Sequence, residues 1–251
     1  KGISAWMGGY RNILLTEYYL LTKDESVLPG IKALSTYLAY GQSAVGTWSH
    51  GMADVKEYGL NGPSAVYGAI NQCSIVCAIS LALAQKCGVT TDAVNKAVDR
   101  SKMFYGYYVD KGTIPYGEHP PAEKHDNNGK NSMAAVFFNL LGDKEATRYY
   151  TRMTLASYSS REGGHTGHYF AWQWGDLGAA CGGPAAAQAF VEKTRWFTEL
   201  ERRADGRSVY QPQLGVDVHK TKNWETTGQR LMQHCLPLKT LYITGKTTCL
   251  E

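Results

Sequence analysis

The chain lacks most of the short signatures that tie a sequence to a reaction. It has no GxSxG elbow for a nucleophilic serine, no GxxxxGK[ST] loop to cradle phosphates, no GxGxxG turn and no HExxH zinc helix. Serine-elbow hydrolases, P-loop nucleotidases, dinucleotide-binding folds and HExxH proteases are thereby set aside. Cysteine is sparse: Cys73, Cys77, Cys87, Cys181, Cys235 and Cys249 include no CxxC pair, and Cys73 and Cys77 share one helix face in poor disulfide geometry. Buried free thiols are expected, which leaves the redox compartment open. No apolar run spans a bilayer, because the longest, Cys73 to Ala84, is short and interrupted by Ser74 and Ser80. No Lys/Arg run interleaves with aromatics, and a net charge of +4 over 251 residues allows only a mild preference for acidic ligands, so nucleic acid is not an expected partner.

What is present is ordinary globular composition, 43% hydrophobic and 19% charged, enough for a sizeable core. The chain opens at Lys1 already in a helical pattern, which reads as a processed or excised piece. Helical spacing runs to Thr22 through Trp6, Ile13, Leu14, Tyr18 and Leu21, and Lys23-Asp24 ends it. Asp24 then caps a second helix with Pro29 in its first turn. Residues 41–64 read as a long loop. Apolar helices are predicted over 65–86, up to 141, and over 169–181, with more polar partners over 92–108, 144–158 and 184–203. A last helix is predicted over 224–243. Short hairpin pieces at 109–116 and 207–210 are the extent of the strand signal.

After the first, each apolar helix follows a longer polar loop, and a tight Gly-containing break separates it from a polar partner. Stacked helical hairpins, with one helix lining a shared centre and the other jacketing it, produce this alternation. The expected fold class is therefore all-α: a single α/α toroid domain over residues 1–251, its ring possibly incomplete, with long polar loops on one face. An open helical solenoid is the runner-up.

The segments Tyr18–Thr22, Gly41-Gln42-Ser43, Gly46–Gly51, Gly68–Gln72, Ile114–Gly117, Asp126–Asn131, Gly164–Phe170 and Pro237-Leu238-Lys239, in that order, resemble a bacterial domain-of-unknown-function family. That family is grouped with α/α toroids of the terpenoid-cyclase and prenyltransferase type, and its members tend to carry an upstream PDZ-like module. The resemblance implies the toroid and such a module as a partner; it assigns no catalytic residues, and the compartment is left open with the extracytoplasmic side slightly favoured. The Asp-rich motif of a terpene cyclase and the Asp/Cys/His zinc set of a prenyltransferase are both missing, so neither activity is expected.

The stretch around which the chain is organised runs from Glu123 to Asp143. A dense polar cluster passes without a break into the apolar residues Met133, Val136, Phe137, Leu140 and Leu141. Asp126, Asn127 or Asn128 can cap this helix, Gly142 can close it, and its N-terminal dipole favours an anionic group. In a ring, the loops at the inner-helix N-termini bring His50, Asp54, Asn71, Glu118, His119, His125, Asp126, Asn128, Lys130, His165, His168 and Asp217 within reach of one another. Five of the seven histidines fall in these loops, against the scatter that chance placement gives.

Amides, carboxylates and aromatic platforms together suit a carbohydrate. Hydrolysis needs two carboxylates about 5–9 Å apart, for which Asp126 with Asp54 or Glu118 are the candidates. A lyase would use Asn128 or Lys130 to neutralise charge and His165 or Tyr169 as base. The expected function is a glycoside hydrolase or polysaccharide lyase. Its catalytic set is His125, Asp126, His165 and His168. Its substrate-binding set is His50, Asn71, Tyr116, Glu118, Asn128, Lys130, Asn131, Tyr169 and Trp172. The alternative is a non-catalytic toroid that holds a glycan or peptide, its Asp and Asn residues serving only as helix caps. No cofactor or metal is expected; zinc or calcium at His165 and His168, with Asp126 or Glu118 as an oxygen ligand, is the lesser possibility because the spacing matches no recognised zinc set.

Overall fold

Helix packs on helix throughout the computed structural model, which describes residues 3–53, 68–121, 129–157, 169–211 and 224–250. Among the described residues there is no strand, only isolated bridges such as Arg202 with Ser208 and Val209 with Glu225. The fold is all-α. The chain divides into two compact units, residues 1–121 and 122–251.

In the first unit α1 spans Ala5–Thr22, begun by the Ser4 hydroxyl accepting from the Met7 N–H and stopped by the left-handed Lys23. Asp24 caps a single 3-10 turn, Glu25–Val27, that leads into α2, Leu28–Tyr40, where Pro29 sits in the first turn and its missing N–H costs nothing. α3 is Asn71–Lys86, and α4, Asp92–Gly106, starts at the Thr91 cap. α3 packs against α1, α2 and α4, so all of its residues from Asn71 to Ala84 are buried. Its composition allows this. Small Cys, Ser and Ala residues let neighbouring backbones approach, while Ile75, Val76, Ile79, Leu81 and Leu83 each supply up to roughly 1.5–3 kcal/mol of burial. Polar groups tie α3 to its neighbours: Asn12 of α1 donates to the Ser80 hydroxyl and to Ser35 of α2, joining three helices.

α3 starts at Asn71 rather than at the expected residue 65. Gly68–Ile70 are not helical, because Ile70 is extended and its N–H donates 2.9 Å to the Trp48 carbonyl. Residues 65–67 lie outside the described residues.

The second unit holds α5, Lys130–Leu140; α6, Lys144–Ala156; α7, Tyr169–Ala180; α8, Pro184–Glu201; and α9, Thr227–Cys235. α5 is buried at every position, packed by α6 and α7. Gly142, φ +72, closes it, and Asp143 caps α6 through the Ala146 N–H, both as the sequence predicts. The cap at the start of α5 differs. Gly129 holds that position at φ +79 with no side-chain cap bond, and the expected caps Asp126, Asn127 and Asn128 lie outside the described residues. The last helix is also shorter than expected. Pro237, which cannot donate a backbone hydrogen bond, falls in a 3-10 turn at Leu236–Leu238, and the left-handed Lys239 follows.

Candidate functional site

Asn71, Tyr116 and Glu118 of the first unit lie together at the N-terminal end of α3, and His50 is held at the start of α1. Asn71 is wholly buried; its amide donates to the carbonyls of Pro115 and Gly117 at 3.0 and 2.9 Å, and its backbone N–H donates to Tyr116. The Tyr105 hydroxyl donates to the Asn71 side-chain Oδ1, and burial pushes that phenol well above its ordinary range. Glu118 is exposed and accepts from the Thr47 hydroxyl at 2.8 Å. His50 is exposed; its Nδ1 accepts from the Trp6 indole N–H at 2.9 Å, and its carbonyl accepts from the Ala5 N–H. These bonds clamp the 41–53 loop and the 113–118 stretch onto the helix start. Asn71 meets the 115–117 stretch, and Asn71, Glu118 and His50 each hold a loop in place.

In the second unit the starts of α5 and α7 lie side by side. A Cβ at Gly129 would sit 2.5 Å from the Phe170 carbonyl, so only glycine fits there, and its positive φ asks for glycine independently. Lys130 and Asn131 are buried in the first turn of α5. Tyr169 is half-buried, with its ring edge-on to Trp224 at 4.5 Å and to Tyr210 at 5.5 Å. Burial raises its phenol pKa, with the Glu201 carboxylate adding to the rise and Arg230 opposing it. Trp172 is buried, stacked on Phe197 at 4.0 Å and 4° in the apolar cluster completed by Tyr210. That is a core position rather than an open platform.

His125, Asp126, Asn128, His165 and His168 lie outside the described residues, as do Asp54 and Asp217. Among the described residues no three His, Cys, Asp or Glu side chains converge as metal ligands would. His119, Glu118 and Asn71 belong to the first unit, Lys130 and Tyr169 to the second.

A buried charge cluster of the second unit lies outside the residues that the sequence singles out. Arg230 of α9 donates through Nε to Glu201 at 2.6 Å and through Nη1 to Gln233, and it pairs with Asp176 of α7 at 3.8 Å. Glu201 is 0% exposed and Arg230 5%. Thr226 donates to the same Glu201 oxygen, and Gln233 donates to Asp176. Even so, Arg230 Nη2 and Glu201 Oε1 have no hydrogen-bond partner among the described residues. The available signal was Asp176, a lone acid inside the apolar run Tyr169–Ala180, which can be buried only with a partner.

A family model described as Domain of unknown function (DUF6288) matches residues 1–245. No curated protein and no solved structure matches the chain.

Proposed function

Because the chain belongs to the family described as Domain of unknown function (DUF6288), we propose its function from chemistry alone: it is a glycan-directed module of α/α-toroid type, a hydrolase or lyase. His125, Asp126, His165 and His168 form its acid–base set, and Lys130, Asn131 and Tyr169 line the substrate path. One observation carries this reading. Gly129 and Phe170 are in close backbone approach, so the two sequence segments that hold all four candidates lead into helices whose first turns touch. Imidazole and carboxyl groups together have the composition that general acid–base chemistry requires. The toroid is supported by α3 and α5, each buried all round within its own unit, as inner helices are. An upstream PDZ-like module is the proposed partner within a longer protein.

The second reading, a toroid that holds a glycan or peptide without turning it over, is favoured by His50, Asn71 and Glu118. Each of these makes a structural hydrogen bond through its side chain. One experiment separates the two. The protein and its His125→Ala, Asp126→Asn, His165→Ala and His168→Ala variants are incubated with neutral and uronate-containing polysaccharides. A hydrolase releases reducing ends, and a lyase also generates the absorbance of an unsaturated uronate. Turnover lost in the variants with glycan affinity retained supports the enzyme. Affinity with no turnover in the parent protein leaves the binder, and neither affinity nor turnover overturns both readings.

A further inference from the structure

α1 carries two apolar faces, and the first unit covers one of them. Gly9, Ile13, Thr16 and Leu20 are buried on the side where α1 packs against α2 and α3. On the opposite side Met7, Leu14, Tyr18 and Leu21 are 46%, 69%, 43% and 56% exposed, and Arg11 is exposed among them. The alternating steps of four and three residues hold these five side chains in one narrow stripe, the seam that a second helix would fill. A helix at the surface of a domain needs a single apolar stripe, so the fold itself has no use for this second one. No other described helix carries more than two large apolar side chains this exposed.

The stripe is complementary to itself when one copy is reversed. Leu14 is its midpoint, with Arg11 about 4.5 Å along the axis to one side and Tyr18 about 6 Å to the other, at roughly 1.5 Å per residue. An antiparallel pair crossing at Leu14 therefore sets Arg11 of one copy beside Tyr18 of the other, and Met7 beside Leu21. The Tyr18 hydroxyl already donates to Asp24 at 3.1 Å, so the incoming guanidinium meets a carboxylate as well as a ring. A parallel pair would instead set Arg11 against Arg11, a like-charge contact. Two-fold pairing also closes, because each copy uses up the same patch and growth stops at the dimer. This match between the two halves of one stripe selects a second copy of the chain over any other apolar helix.

We propose that the outer face of α1 is a self-association surface, on which two copies pair antiparallel through Met7, Leu14, Tyr18 and Leu21 while Arg11 of each copy meets Tyr18 and Asp24 of the other. A contact made by one helix pair falls below the roughly 1,200–2,000 Å² of standard interfaces, which sets the expected dissociation constant in the micromolar range. The face lies within the first unit and uses none of the residues proposed for glycan chemistry, so it is independent of that reading.

Sedimentation equilibrium of the full chain, from about 1 to about 500 μM, tests it. The parent protein should pass from monomer to dimer across that range. Leu14→Glu and Leu14→Lys place like charges at the crossing and should each weaken the dimer at least about 30-fold. An equimolar mixture of the two should recover it, because position 14 meets its own counterpart. Arg11→Glu brings a carboxylate to Asp24 and should weaken the dimer about tenfold. Leu200→Glu, on the exposed side of α8, should leave it unchanged. All three positions are exposed, and far-UV circular dichroism checks that each variant keeps its helices. The proposal is overturned if the parent stays monomeric throughout, if Leu14→Glu associates as the parent does, or if the mixture of charge variants stays monomeric. It is equally overturned if Leu200→Glu removes the dimer, or if Arg11→Glu mixed with the parent associates more tightly than the parent alone, as a parallel pair would.

Discussion

Arg230 and Glu201, separated by 29 positions in the sequence, share a 2.6 Å hydrogen bond between the interior ends of α9 and α8. Both are almost completely out of solvent, and Asp176 brings a second carboxylate from α7. Removing one partner of such a pair strands the other's charge, a larger loss than the pair's own net worth. Glu201→Ala should therefore destabilise the second unit by about 3–5 kcal/mol. Glu201→Gln, which keeps the acceptor shape, should cost less. Urea unfolding followed by near-UV circular dichroism measures both, and a loss under about 1 kcal/mol for the alanine variant would show that the cluster does not hold these helices together.

Asn71 separates a structural role from a ligand-binding one. Its amide serves two buried carbonyls, and its own oxygen accepts from Tyr105. Asn71→Ala strands these groups in the interior, at about 1–3 kcal/mol for each one left unsatisfied. A lower melting temperature with unchanged glycan affinity is expected. Weakened affinity at full stability would return Asn71 to the substrate path.

The helices themselves were legible because their periodicity, caps and stop signals agree. Thr91, Asp143, Lys23, Gly88 and Gly142 stand at the boundaries where their chemistry places them. Two boundaries were not legible. Ile70 is held extended by a bond to Trp48, a tertiary contact that no local propensity encodes, and Pro237 ends α9 inside an amphipathic pattern that otherwise continues. Among the site residues, the meeting of Asn71, Tyr116 and Glu118 at one helix start follows from loop polarity. Their engagement in loop-clamping hydrogen bonds does not, because an amide that anchors a loop and an amide that anchors a sugar look alike in sequence. The Arg230 cluster was hidden for a related reason. Glu201 lies in Glu199-Leu-Glu-Arg-Arg203, which reads as a solvated helix end, and only α9 turns one of its acids into a buried group.

The thiols and a phenol of the first unit set an alkaline limit. Burial pushes Cys87 from about 9 up to about 12, and Tyr108 from about 10 up to about 12. Folding therefore favours the protonated forms of both. Their contribution is fully present below the unfolded values and is lost as pH rises through the folded ones, so stability should fall between pH about 9 and about 12. Urea midpoints across that range should decline, and Cys87→Ala should make the decline shallower. A midpoint flat to pH 11 or beyond would contradict the assignment. The same burial predicts the order of labelling by a thiol reagent at neutral pH: Cys235 first, Cys249 next, and Cys73, Cys77, Cys87 and Cys181 only on unfolding.

Gly178 brings α7 against the backbone of α5. A Cβ there would lie 2.6 Å from the Ser132 Cα and 2.9 Å from its carbonyl oxygen, both backbone atoms of a helix that is buried on every side and has nowhere to retreat. Thr151 also donates to the Gly178 carbonyl at 3.2 Å, so separating the helices would strain a bond to α6 as well. Two effects oppose each other in Gly178→Ala. Alanine gains up to about 1 kcal/mol of helix propensity, while the forced shift of packed backbones costs about 1–3 kcal/mol. The steric effect should win, giving a net loss of stability and a larger one for Gly178→Val. Gly228, in the first turns of α9, has open space where its Cβ would go and supplies the control. Gly228→Ala should be neutral or stabilising in the same melt, and a stabilised Gly178→Ala would mean that α5 and α7 pack less closely than this geometry requires.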